Sequence, residues 1–221
     1  MINPWLNFKV SAEMIHPTDA NAFHDHNSRV SENFRFLPHL APEPWIGNTK
    51  AKLLVLLANP GATQSDVKGI KQNGADEINE LSVLNLNHAL TDYPHFFFDP
   101  QLAGTDGHNW YSKRFKSLIA ETSVENVANK VLSCELVAYH SFSWKKPRLN
   151  PATQKYTNQL VAEAIERNAV ILVGRGKADW IKNVPALRSY KNYFQPASAQ
   201  CSYITERNYK ENYKHILASI S

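Results

Sequence analysis

Leu53-Leu54-Val55-Leu56-Leu57-Ala58-Asn59-Pro60-Gly61 is an apolar run that ends abruptly in turn chemistry. Five apolar residues in a row, without alternation, read as a strand buried on both faces, as in a parallel sheet covered by helices. The tripeptide that follows puts an amide side chain, a fixed φ and an unhindered backbone at the strand's C-terminal end. That is where an open parallel sheet carries its ligand site.

Three further short apolar runs lie downstream: Glu135–Val137 with its flanks, Val170–Val173, and Tyr193–Phe194 with its flanks. Each leads into polar turn chemistry, at Tyr139-His140-Ser141, Gly174-Arg175-Gly176 and Pro196 to Gln200 respectively. Between the second and third runs the spacing of Leu160, Val161, Ala164 and Ile165 predicts an amphipathic helix from Pro151 to about Arg167. Strand, helix and strand make a βαβ unit. Helical patterns also appear near Ala20–Val30, Glu77–Leu90, Trp110–Ala120, Lys177–Ile181 and Asn208–Ile220. The expectation is an α/β fold with a short, largely parallel four-stranded central sheet flanked by helices. Residues 1–221 read as one domain, with 1–45 as a helical, proline-bearing lead-in.

Composition narrows the function classes. The 221 residues include two cysteines, Cys134 and Cys201, too few for a disulfide framework or a cysteine-based zinc cluster. No apolar run approaches the roughly 18 residues of a membrane helix, and no basic-then-apolar leader opens the chain. A cytoplasmic protein without membrane partners is expected. The formal charge of +4 favours an anionic partner. Lys145, Lys146 and Arg148 cluster beside Trp144, and Lys113, Arg114 and Lys116 follow Trp110-Tyr111. Such clusters grip phosphates or simply form solvated faces.

His24-Asp25-His26 invites a metal reading, but residues two apart on a helix point about 200° apart and no further ligands support it, so no metal is expected. Gly174-Arg175-Gly176 lacks the glycine spacing of a dinucleotide or Walker loop, so no nucleotide cofactor is expected either.

The first run, preceded by Pro42-Glu-Pro-Trp-Ile-Gly47, resembles the first motif of the uracil-DNA glycosylase superfamily, in a branch with Asn-Pro-Gly. Ala138-Tyr-His-Ser141 is similar to its second motif, and Leu172-Val-Gly-Arg-Gly176 before Asp179-Trp180 to its third. The resemblance spans about Pro42 to Asn208. It implies a three-layer fold of that type and a monofunctional DNA glycosylase without a cofactor. Such an enzyme flips a pyrimidine out of DNA and hydrolyses its N-glycosidic bond through an oxocarbenium-like transition state. Uracil is the default base, and a modified one, such as a hypermodified phage cytosine, is the other expectation, with repair or anti-phage defence as the role.

By the same resemblance, Asn59 holds the attacking water, and the backbone of Pro60, Gly61 and Ala62 binds base or water. His140 and Ser141 sit beside Asn59, with His140 reading either as a donor to a base oxygen or as a satisfied structural histidine. Asp66 reads either as an auxiliary base or as a cap after Ser65. Phe98 reads as a stacking residue or as core, and Arg175 as a phosphate or base contact or a salt-bridged loop residue. Ser198 and Gln200 match the last active-site loop, which here lacks the histidine that often precedes Pro-Ser. Lys145, Lys146 and Arg148 would hold the DNA backbone. No obligate protein partner is evident. Two rivals remain: an inactive DNA-binding module of the same fold, and a nucleosidase-type hydrolase acting on small molecules.

Overall fold

The computed structural model describes residues 1–70, 74–198 and 203–221. Its sheet consists of β1 (Trp45–Gly47), β2 (Leu53–Leu57), β3 (Val131–Glu135), β4 (Val170–Val173) and β5 (Tyr193–Phe194). They lie side by side in the order β1-β3-β2-β4-β5. The sheet is mixed but largely parallel. β2 pairs with β4 in parallel, Leu53 opposite Val170, and β4 pairs with β5 in parallel, Ile171 opposite Tyr193. The helices are α1 (Ala20–Arg29), α2 (Gln64–Val67), α3 (Ala75–Leu86), α4 (Asp106–Glu121), α5 (Val124–Lys130), α6 (Gln154–Glu166), α7 (Lys177–Asn183), α8 (Glu206–Tyr209) and α9 (Tyr213–Ile220). No helix among the described residues is long and apolar enough to cross a membrane.

The α/β class is as read from the sequence, but the sheet has five strands rather than four. The added strand, β1, is three residues long, and its Gly47 has φ 114°. A Cβ on Gly47 would meet the carbonyl oxygen of Val131, so only glycine lets β1 lie this close to β3. β3 also starts and ends earlier than the Glu135–Val137 reading. Its Ser133 and Cys134 break the run of aliphatic residues that marks β2 and β4, yet both are buried.

The chain divides into two compact units of three segments each. The first comprises Met1–Trp45, Ala58–Ala89 and Glu135–Gln159. The second comprises Ile46–Leu57, Leu90–Cys134 and Leu160–Ser221.

The second unit holds most of the sheet. β2 and β4 are buried along their whole length, as their aliphatic composition requires. The Trp180 indole of α7 donates to Leu57 O at 2.8 Å, capping the end of β2. Phe96, Phe97 and Phe98 form a buried 3-10 turn, with Phe97 stacked on Tyr111 at 5.3 Å and Phe98 edge-on to Phe115 at 5.5 Å.

The first unit gathers the two segments that leave β2 and β3. Val137 N donates to Ala58 O at 3.0 Å and Ser141 N to Pro60 O at 3.3 Å, and Gly61 and Ser141 form a parallel bridge. A fully buried carboxylate anchors this region. Asp19 accepts from Tyr139 Oη at 2.8 Å, Thr153 Oγ1 at 2.6 Å and Thr153 N at 3.0 Å.

Candidate active site

Asn59 follows directly on the apolar run that ends in Leu57-Ala58 and is half-buried. Its Nδ2 donates to Ser141 Oγ at 2.8 Å, Pro60 O at 3.0 Å and Tyr139 O at 3.3 Å. Two of these partners are carbonyl oxygens, which only accept, so the amide nitrogen must face them. Ser141 Oγ in turn donates to Ser143 O at 2.9 Å, which leaves its lone pairs for Asn59. This chain of bonds fixes which way the amide points. Among the described residues no donor reaches Asn59 Oδ1, which is left as an acceptor for a water.

His140 sits on the neighbouring segment with a side chain 12 % exposed. Nδ1 lies 2.7 Å from Gly61 O and Nε2 lies 3.0 Å from Ala41 O. The expected role, donation to a substrate oxygen, is therefore corrected: both ring nitrogens are committed to the backbone. Glu43 Oε2 is 3.7 Å from Nε2, and Ser82 Oγ donates to Glu43 Oε1 at 3.1 Å. Burial pushes the Glu43 carboxyl up, and the His140 charge and the Ser82 bond pull it back. Glu135, also buried, is pushed well above the ordinary carboxylate range by burial and then by the charge of Glu43.

Asp66 is a cap rather than a base. Its Oδ2 accepts from Thr63 N and Thr63 Oγ1, both at 2.7 Å, while Thr63 Oγ1 accepts from Asp66 N in a complete capping box that starts α2. That box holds the chain leaving Gly61 and the half-buried Ala62.

The remaining expected residues divide by unit. Lys145, Lys146 and Arg148 are exposed in the same unit as Asn59, on a segment without regular structure, with Lys145 Nζ 5.8 Å from the Phe34 ring. Phe98, Arg175 and Ser198 belong to the second unit. Phe98 is 1 % exposed and packed among His95, Tyr111 and Phe115, so it is core and offers no face to a base. Arg175 and Ser198 are exposed, and Gln200 lies outside the described residues. The Nε2 atom of His26 bonds Phe34 O at 2.9 Å and its ring stacks on Phe36, while His24 faces solvent.

The chain matches no known family model, no curated protein and no solved structure.

Sequence reading missed Glu43 and Glu135. Glu43 stands between two prolines, a context that reads as a surface loop, and only its neighbour Trp45 hints at burial. Within the second unit, a narrow cleft at the C-terminal ends of β2 and β4 is lined by Leu57, Gly174, Trp110, Arg114 and Tyr209. There the Arg114 guanidinium lies 3.5 Å from the centre of the Trp110 ring. The cation-aromatic pairing in Trp110-Tyr111-Ser-Lys-Arg114 was its visible signal.

Proposed function

We propose that this protein is a monofunctional DNA glycosylase in which Asn59 orients the water that attacks C1′ of an extruded nucleotide. The observation that carries the reading is the amide of Asn59, locked through Nδ2 with Oδ1 left to accept from water, at the end of a strand of a largely parallel sheet. An amide cannot take the water's proton. It orients the water while the glycosidic bond breaks, which suits a reaction whose transition state carries its positive charge on the sugar. The C1′–N electron pair leaves with the base, the water oxygen bonds to C1′, and the water's proton ends on the released base. Gly61 is exposed, and a Cβ there would meet nothing within 4 Å, so the space over the turn that follows Asn59 is open. The exposed Lys145, Lys146 and Arg148 in the same unit supply the cations that a polyanion requires. The substrate is uracil or a modified pyrimidine, and the role is repair or defence against phage DNA.

The test is a panel of oligonucleotides and genomic DNAs carrying uracil, mismatched thymine, hydroxymethylcytosine or glucosylated hydroxymethylcytosine, scored for alkali-cleavable abasic sites. The parent should act on one base type, and Asn59→Ala should lower the rate by about 100-fold or more, the usual loss on deleting a preorganised polar group. DNA binding without abasic sites on any substrate would sink the enzyme reading.

A further inference from the structure

We infer that Glu43 is a positioning residue, the buried counter-ion of a doubly protonated His140 that clamps the Asn59-Pro60-Gly61 turn to the Ala41 segment. The inference deepens the glycosylase reading and rests on it only where activity is measured.

The geometry of the ring carries the argument. Both His140 nitrogens lie within hydrogen-bond distance of backbone carbonyl oxygens, Gly61 O at 2.7 Å and Ala41 O at 3.0 Å. A carbonyl oxygen only accepts, and a neutral imidazole carries one N–H. In either neutral tautomer one ring lone pair would face a carbonyl lone pair at one of these two distances. Only the imidazolium makes both bonds. Backbone bonds hold the segment that carries the ring: Leu37 N donates to His140 O at 3.0 Å and Ser141 N to Pro60 O at 3.3 Å.

A cation in a side chain only 12 % exposed needs a compensating charge. Glu43 Oε2 provides it at 3.7 Å, and Ser82 of α3 holds the other carboxylate oxygen at 3.1 Å. Two stretches of chain thus meet at the ring, the Ala41–Glu43 segment and the Asn59 turn, and α3 holds the carboxylate beside it. Among the described residues, the charged group paired with the ring is Glu43, whose charge in turn acts on Glu135. Ala41 and Gly61 present carbonyls. Burial and the Glu43 charge push the Glu135 carboxyl well above the ordinary carboxylate range, which favours a single negative charge on the pair, matched to the single charge of the ring. Gly61 O is the clamped atom, two residues from Asn59, so loss of the imidazolium would loosen the turn that aims the amide.

The experiment uses the full chain labelled with nitrogen-15 in its histidine rings, the His140 signals being those absent from His140→Gln. At pH 7 the parent should show both His140 nitrogens protonated. Glu43→Gln keeps the side-chain shape and removes the charge. It should convert His140 to a neutral tautomer, speed exchange of the Ser141 amide about tenfold, and slow base release about tenfold. Glu43→Asp, which keeps the charge, should restore the doubly protonated signature. A neutral ring in the parent, or an unchanged ring in Glu43→Gln, overturns the inference. If Glu43→Gln does not fold, the parent spectrum still decides, and Ser82→Ala, which removes one hydrogen bond from Glu43, should leave the ring charged. A parent that releases no base from any DNA defeats the glycosylase reading while the ring signature still decides the clamp.

Discussion

At the scale of single residues, the site is held by polar groups that have nowhere else to go. Asn59 is aimed by carbonyls that only accept, and Tyr139 by the fully buried Asp19. Burial, the Asp19 charge and the bond to it all push the Tyr139 hydroxyl far above its ordinary range, so it stays a donor at any working pH. Tyr139→Phe removes that donor, leaves Asp19 with Thr153 alone, and should cost about 1–3 kcal/mol in urea unfolding. A loss below about 0.5 kcal/mol would show that water replaces the hydroxyl. The turn at Asn59 was legible in the sequence because an apolar run ends there in an amide, a proline that fixes φ and a glycine that leaves the backbone unhindered. Glu43 was not, since nothing local distinguishes a proline-flanked surface acid from one paired with His140, far along the chain. Asp66 was half legible: Thr63-Gln-Ser-Asp66 is the spacing of a capping box, and the cap is what forms.

Elements were readable where one force sets them. β2 and β4 are aliphatic throughout and fall where the continuous runs place them. α6 buries Leu160, Val161 and Ala164 of the predicted stripe and half-buries Ile165. β1 was invisible because three residues give no period, and β3 was placed too late, at Glu135–Val137 with its flanks, because Ser133 and Cys134 interrupt its aliphatic run. The C-terminal pattern read as one helix is broken at Lys210, whose φ of 49° ends α8 before α9 begins. Gly47 is the most exacting position in the sheet. Gly47→Ala forces a methyl against Val131 O at a φ that suits glycine, and should cost about 1–3 kcal/mol. Thermal unfolding checks it, and an unchanged Tm would mean that β1 detaches from β3 at no cost.

Across the whole molecule, two buried groups shape stability in opposite pH directions. Burial lowers His95 from 6.5 to about 3. The unfolded chain therefore binds a proton the folded one lacks, and stability present above 6.5 is lost as pH falls toward about 3. Glu135 is displaced the other way, well above 4.5. Its folded form keeps a proton the unfolded chain has released, so its contribution is complete below 4.5 and fades as pH rises through the folded value. Glu135→Gln should therefore raise Tm by several degrees at pH 9 and change it little at pH 5. Equal shifts at both pH values would contradict a protonated Glu135. The two-unit division was not legible, because each unit is assembled from three separated segments and no linker composition marks the crossings.

The measurement that bears most directly on the account is the small-molecule product itself, followed by mass spectrometry during a single turnover on DNA that carries the base attacked. Free base appearing in step with abasic sites in the parent, and not in Asn59→Ala, is the predicted result. Release at the parental rate by Asn59→Ala, or a nucleotide in place of the free base, would contradict it.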